Sequence, residues 1–275
     1  MSTTRLIAAA LLLFGASAVA LAQARPAGIS AAITPEKIDV TLHEPVSTLL
    51  TLRNGLSEPV VVDLGDDRKS GIVVKTIFPD GSRGSNQVSV HQGLARLGRI
   101  TLARDEIYSQ VLVFNDWTVF PMTGLYKLRV ELLNPVVASD GTSIRLGAFF
   151  ASVTVESRDE QRLNKLCAAL LDRLSRARSY ADARQQAELL ARVEDPVAVP
   201  FLRQAMTSPF YPIQPLIVRG LEGVGTPEAV KVLLEAIGKD PSAAPDARAA
   251  LSRLADKILD VDLKTQVQKT LNDKP

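Results

Sequence analysis

The chain has 275 residues, 32 of them basic and 30 acidic, for a formal charge of +2; 46% are hydrophobic, 23% are charged, and glycine and proline number 16 each. That balance excludes a collagen-like repeat, an overall disordered chain and a strongly basic nucleic-acid binder. One cysteine excludes an internal disulfide framework, and two histidines leave little for a histidine-rich metal site.

The first 24 residues read as an export signal. Arg5 precedes an unbroken apolar run at residues 6–14, and Ala20, Ala22 and Ala24 satisfy the small-x-small cleavage pattern in two overlapping frames. The apolar span, residues 6–22, falls short of the roughly 20 residues that cross a bilayer, so cleavage is expected rather than anchoring. No cysteine lies nearby to carry a lipid. The mature chain is therefore expected to work in the periplasm or outside the cell.

Between residues 33 and 156 the hydrophobic period is two. Thr48, Leu50 and Leu52 alternate with Leu49, Thr51 and Arg53, and Tyr126, Leu128, Val130 and Leu132 alternate with Lys127, Arg129 and Glu131. Ala151, Val153 and Val155 repeat the pattern. Such alternation buries one face and wets the other, as in antiparallel sheets. Asn54-Gly55, Pro79-Asp80-Gly81 and Asp140-Gly141 read as tight reversals between strands. Seven or more short strands so punctuated predict a sandwich of two sheets over residues 30–157.

The segment from Gly124 to Leu128 resembles a late strand of immunoglobulin-like sandwiches. The resemblance implies that Tyr126 hydrogen-bonds back to the preceding corner and that Leu128 enters the core. The stretch from Asn115 through Tyr126 is similar to that of bacterial envelope domains of this type. No cysteine pair is present for an inter-sheet disulfide, which removes the antibody subclass.

After Glu156 the period becomes helical. Leu163, Leu166, Cys167, Leu170 and Leu174 follow the i, i+3, i+4 rule. Cys167 sits in that stripe and reads as a small buried hydrophobe rather than a reactive thiol. The charged junction from Ser157 to Gln161 lacks glycine and proline, so a strand running straight into a helix is expected, with the two halves in a fixed relation.

Residues 158–275 carry an internal repeat. Asp195-Pro196-Val197-Ala198-Val199 recurs as Thr226-Pro227-Glu228-Ala229-Val230, 31 positions later, with Asp195 and Thr226 suited to N-capping and the prolines to the first helical position. Leu190, Leu221 and Leu251 are near-equivalent in the second helix of each unit. A two-helix period of this length signals a solenoid. The string from Asp195 to Met206 resembles the first helix of a HEAT repeat of the short bacterial kind related to phycobilin lyases, and Pro200 is expected to bend it. The fold class is thus all-β plus all-α: an immunoglobulin-like sandwich followed by a short HEAT-like α-solenoid.

No catalytic constellation assembles. His43 and His91 are each tied to no nucleophile or orienting acid, and no Gly-x-Ser-x-Gly elbow, His-Glu-x-x-His pair or P-loop occurs. The run Asp63-Leu64-Gly65-Asp66-Asp67 has hard oxygens but lacks calcium-loop spacing and reads as an acidic turn. No cofactor and no metal is implied. Partner recognition is instead assigned to Phe210 and Tyr211 in a proline-flanked stretch, to Arg219 and Glu222 on a second helix, and to Trp117 in a sandwich loop. The expectation is a non-enzymatic exported protein that binds another envelope or extracellular protein. The alternative is a carbohydrate- or small-ligand-binding module around Trp117.

Overall fold

The computed structural model describes residues 28–65, 70–84, 98–210, 213–239 and 241–273. Residues 1–24, expected from sequence to be an export signal, and Asp66, Asp67, His91 and Tyr211 lie outside the described residues.

Among the described residues, twelve strands come first: β1 (Ile29–Pro35), β2 (Asp39–Thr41), β3 (Ser47–Asn54), β4 (Val60–Asp63), β5 (Ile72–Ile77), β6 (Arg83–Gly84), β7 (Arg99–Leu102), β8 (Ile107–Val113), β9 (Gly124–Leu132), β10 (Val136–Ala138), β11 (Ser143–Ile144) and β12 (Phe149–Glu156). They form a five-stranded sheet, β2-β12-β9-β5-β6, a three-stranded sheet, β1-β3-β8, and a four-stranded sheet, β11-β10-β4-β7. All pairings are antiparallel except that of β2 with the end of β12. One core joins them. Leu50, Leu52 and Leu112 from the three-stranded sheet and Val60, Val62 and Leu102 from the four-stranded sheet meet Val74, Leu128, Val130 and Val153 from the five-stranded sheet.

The alternation at 126–130 does what the immunoglobulin resemblance implies. Tyr126 and Leu128 are buried, and the Tyr126 hydroxyl donates to the Met122 carbonyl at 2.9 Å while accepting from the Met122 N–H at 3.2 Å. The ring is held edge-on between Phe78 and Phe120, at centroid distances of 5.8 and 5.0 Å. This is a tyrosine corner closing the turn into β9.

Asn54-Gly55 is not a hairpin turn. The chain leaves β3 there and enters β4 in a different sheet, and Asn54 is fully buried. Its amide donates to the carbonyls of Glu58 (2.7 Å) and Leu102 (3.0 Å), and its side-chain oxygen accepts from the Leu56 N–H (2.9 Å). A buried amide so satisfied pins the sheet change from both sides.

Only residues 157–159 separate β12 from the first helix. The helices are α1 (Glu160–Ser175), α2 (Tyr180–Ala191), α3 (Val199–Ala205), α4 (Gln214–Val224), α5 (Pro227–Lys239), α6 (Ala244–Leu254) and α7 (Val261–Asn272). The pairs α1/α2, α3/α4 and α5/α6 form hairpins that stack so that α2, α4 and α6 make one row, while α1, α3, α5 and α7 make the other. Leu163, Cys167, Leu170 and Leu174 bury the inner stripe of α1, and Leu190, Leu221 and Leu251 bury equivalent positions of the second-helix row. Each hairpin covers its apolar face only against its neighbours, the physics of a solenoid.

Local chemistry sets the helix ends. The side chains of Asp159, Ser179 and Asp260 accept from the backbone N–H three residues on and so cap α1, α2 and α7. Thr226 Oγ1 accepts from the Ala229 N–H at 3.3 Å at the start of α5. Gly225 takes the left-handed conformation that closes α4, with φ 61°. Pro200 departs from expectation. The turn Pro196–Ala198 is a 3-10 helix, so α3 begins only at Val199 and Pro200 is its second residue, where the missing N–H breaks no helical bond.

Candidate protein-binding surface

The functional geometry begins where sandwich meets array. Thr41 ends β2, and its hydroxyl donates to the Ser157 carbonyl (2.6 Å) and accepts from the Asp159 N–H (2.8 Å), which ties the join down. His43 has a left-handed backbone, φ 70°, in a turn closed by the Glu44 N–H on the Thr41 carbonyl. The turn leaves His43 exposed and sends Glu44 inward, where its carboxylate takes Arg162 Nε at 2.8 Å, Lys37 Nζ at 2.5 Å and the Thr41 N–H at 3.1 Å. Val113, at the end of β8, packs into the helical core rather than into the sandwich core.

Two further ion pairs cross the junction. Arg158 holds Asp195 through Nε to Oδ2 (2.7 Å) and Nη2 to Oδ1 (3.0 Å), while Oδ1 also accepts from the Val197 N–H (3.0 Å). Burial pushes the Asp195 carboxyl upward, but the Arg158 fork and the Val197 N–H outweigh it and hold the group below the ordinary carboxylate range. Asp116, in a short 3-10 turn after β8, pairs with Arg192 at the end of α2, both side chains being largely buried.

That second pair opens a line of charge along the second-helix row. Arg219 on α4 is half-buried within the fields of Arg192, Asp116, Glu188 and Glu222. Burial, then the neighbouring Arg192 cation, draw its guanidinium below the usual arginine value. It makes no hydrogen bond or ion pair with the described residues. Glu222, one turn on, is engaged by Arg253 of α6 through a two-pronged contact, Nε to Oε1 at 2.6 Å and Nη2 to Oε2 at 2.8 Å. Arg248 is committed to the carboxy-terminal end of α7, donating to the Thr270 carbonyl at 2.5 Å.

The residues nominated from sequence thus separate. Arg219 and Glu222 share one surface, with Arg219 the half-buried member and Glu222 already engaged. Phe210 is partly buried against the helical core, next to the buried Gln214, whose amide reaches the Ser208 carbonyl at 3.3 Å. Trp117 is corrected: it is 3% exposed, its indole N–H donates to the Ile72 carbonyl at 3.1 Å, and its ring meets Phe114 edge-on. The indole closes the sandwich core and offers no face to a ligand. Arg192, Asp116 and Arg253 escaped sequence reading, because their partners lie 31 to 76 positions away.

Cys167 is fully buried in α1, and desolvation pushes its thiol up to about 12. Asp63 accepts from the Gly65 N–H at 2.9 Å and faces Arg99, the arrangement of an acidic turn. Among the described residues no group of three or more His, Cys, Asp or Glu side chains is placed to hold a metal ion, and no helix is long and apolar enough to cross a membrane.

Comparison with known proteins agrees on the helical half. Residues 167–255 match the family described as HEAT repeats. No curated protein matches the chain. Among solved structures, the CARDB domain of a Pyrococcus furiosus protein, in complex with di-metal ions, is similar over 46% of this chain and 87% of its own, at 12% identity and a TM-score of 0.26. The sporulation control protein of Bacillus subtilis is similar over 52% of this chain and 55% of its own, at 12% identity and a TM-score of 0.28. An alkylpurine DNA glycosylase of Pseudomonas fluorescens, bound to DNA containing an abasic site analog, is similar over 47% of this chain and 30% of its own, at 14% identity and a TM-score of 0.23. The matched segment runs from the middle of α1 to just past α6, and three residues join the helical region that carries these HEAT repeats to the β-rich domain.

Proposed function

We propose that the chain is an exported, non-enzymatic scaffold of the cell envelope that holds a partner protein on the second-helix row of its HEAT array. The observation that carries this reading is Arg219. A half-buried guanidinium keeps its charge at a desolvation cost, and here no described side chain offsets that cost by direct contact. A carboxylate from a partner would complete the line that runs from Asp116 and Arg192 to Glu222 and Arg253. Arginine at the centre of a ring of engaged charges is the composition of a binding hot spot. The leader at residues 1–24 supports export, and HEAT arrays serve recognition by presenting such extended rows.

Affinity capture from envelope extract, followed by a direct titration of the captured protein, tests the reading. Arg219→Gln should weaken binding about tenfold or more without lowering the melting temperature, whereas Arg219→Glu, set half-buried among Asp116, Glu188 and Glu222, should weaken it further and lower the melting temperature. Unchanged capture by both variants overturns the proposed surface.

A further inference from the structure

The outer face of the five-stranded sheet carries a second feature, remote from the array. Strand register places Phe150, Arg129 and Lys75 side by side in one cross-strand row, and Ser152, Lys127, Ile77 and Arg83 in the next. All seven side chains point away from the core and are exposed. Between them lies a groove of about 530 Å³ lined by Lys75, Ile77, Arg83, Lys127, Arg129 and Phe150. That volume falls within the roughly 300–1,000 Å³ typical of ligand sites.

Its chemistry is one-sided. Four cations face the groove, and Glu131, one cross-strand row further along, is shared by Lys75 (3.3 Å) and Arg129 (2.7 Å). Arg83 and Lys127 form no ion pair with the described residues. Phe150 is 71% exposed, an unusual position for a phenylalanine on a strand whose next residue is buried. Like charges directly opposite or diagonal on a sheet repel; Glu131 offsets part of that cost for Lys75 and Arg129, and no described side chain does so by an ion pair for Arg83 and Lys127. An exposed aromatic ring beside four cations, two of them without an ion pair among the described residues, is the footprint of an amphipathic anion.

We propose that this groove binds an acidic peptide segment of a partner protein, with carboxylates meeting Arg83, Lys127 and Arg129 and an apolar side chain resting on Phe150 and Ile77. Concavity favours a peptide over a membrane: a narrow chain enters a groove that a planar lipid surface only bridges. The site lies at the start of β12, six residues and so roughly 20 Å along the strand from the junction with α1. It is therefore separate from the Arg219 surface, and the two stand or fall independently.

Fluorescence polarisation on the full chain tests the proposal, using fluorescein-labelled heptapeptides Glu-Glu-Ser-X-Ser-Glu-Glu with X as Phe, Leu or Ser, and a lysine-for-glutamate control. Saturable binding is expected in the order Phe, Leu, Ser, with none for the lysine control. Arg83→Glu with Lys127→Glu, and separately Phe150→Ser, should each weaken it about tenfold or more, whereas Arg219→Gln should leave it unchanged. Arg83, Lys127 and Phe150 are exposed, so the melting temperature of their variants should hold. Absence of saturable binding, or equal binding by the charge-reversed variant, overturns the proposal. So does sedimentation of the chain with phosphatidylglycerol vesicles when the peptides fail to bind.

Discussion

Arg158 and Asp195 meet through two hydrogen bonds, 2.7 and 3.0 Å long, from the three-residue join to the capping residue of the second repeat. Asp195 is 1% exposed, and the same carboxylate accepts from the Val197 N–H to start the 3-10 turn ahead of α3. One side chain thus both begins a repeat and anchors the sandwich to it. Solenoid hairpins normally touch only their neighbours, and this contact makes the sandwich the neighbour of the first two.

Asp195→Ala is expected to cost about 1–2 kcal/mol for the lost cap alone, with Asp195→Asn milder because its amide oxygen still caps. Arg158→Ala should destabilise as well, since it leaves a buried carboxylate without its cation. Urea denaturation of the full chain checks the order. The pH dependence follows from the lowered Asp195 carboxyl. Its contribution is present above the unfolded carboxyl value of about 3.9 and is lost as pH falls through the lower folded value. Wild type should therefore lose more stability than Asp195→Asn as the pH drops below about 4.

Tyr126→Phe removes a hydroxyl that both donates to and accepts from Met122, while keeping the ring between Phe78 and Phe120. A loss of about 1–3 kcal/mol is expected, with the denaturant slope unchanged. Guanidinium titration measures both quantities.

Gly220→Ala sets intrinsic propensity against packing. Alanine improves a helix interior by about 1 kcal/mol, yet a Cβ at Gly220 would stand 2.8 Å from Ala191 Cα, a backbone atom that cannot swing aside. The row α2/α4 must part, so net destabilisation of about 1–2 kcal/mol is expected, comparable to overpacking elsewhere. A melting temperature equal to or above wild type would contradict the close approach of these helices.

Cys167 should be inert in the native state. Burial holds its thiol at about 12, so Ellman's reagent at pH 8 should react only after denaturant is added, and no disulfide-linked dimer should form under oxidising conditions. Cys167→Ser should cost more than Cys167→Ala, because serine would bury a hydroxyl in an apolar stripe.

Sequence pattern revealed those parts of the molecule whose cause is local. The alternation around Tyr126 places its strand face correctly, the stripe from Leu163 to Leu174 places α1, and Asp195 with Pro196 marks a helix start. Elsewhere a non-local force decided. Asn54-Gly55 has turn chemistry, but Asn54 is held in the core by the carbonyl of Leu102, 48 positions away at the end of β7, together with that of Glu58. Pro200 breaks no helical hydrogen bond, because the turn before it is 3-10 and the proline falls in the first turn of α3. Trp117 looked available in a loop, and only the distant Ile72 carbonyl explains why it is buried. The charge line through Arg192, Arg219 and Arg253 joins separate repeats and a sandwich turn, and no local window holds it.

The central claim is that the second-helix row around Arg219 holds a partner protein. Crosslinking mass spectrometry in intact cells, comparing wild type with Arg219→Gln at equal expression, tests it most directly. The account predicts crosslinks from α2, α4, α6 and their adjoining loops to one partner, reduced severalfold in the variant. Crosslinks confined to the sandwich, or array crosslinks of unchanged yield in Arg219→Gln, would contradict it.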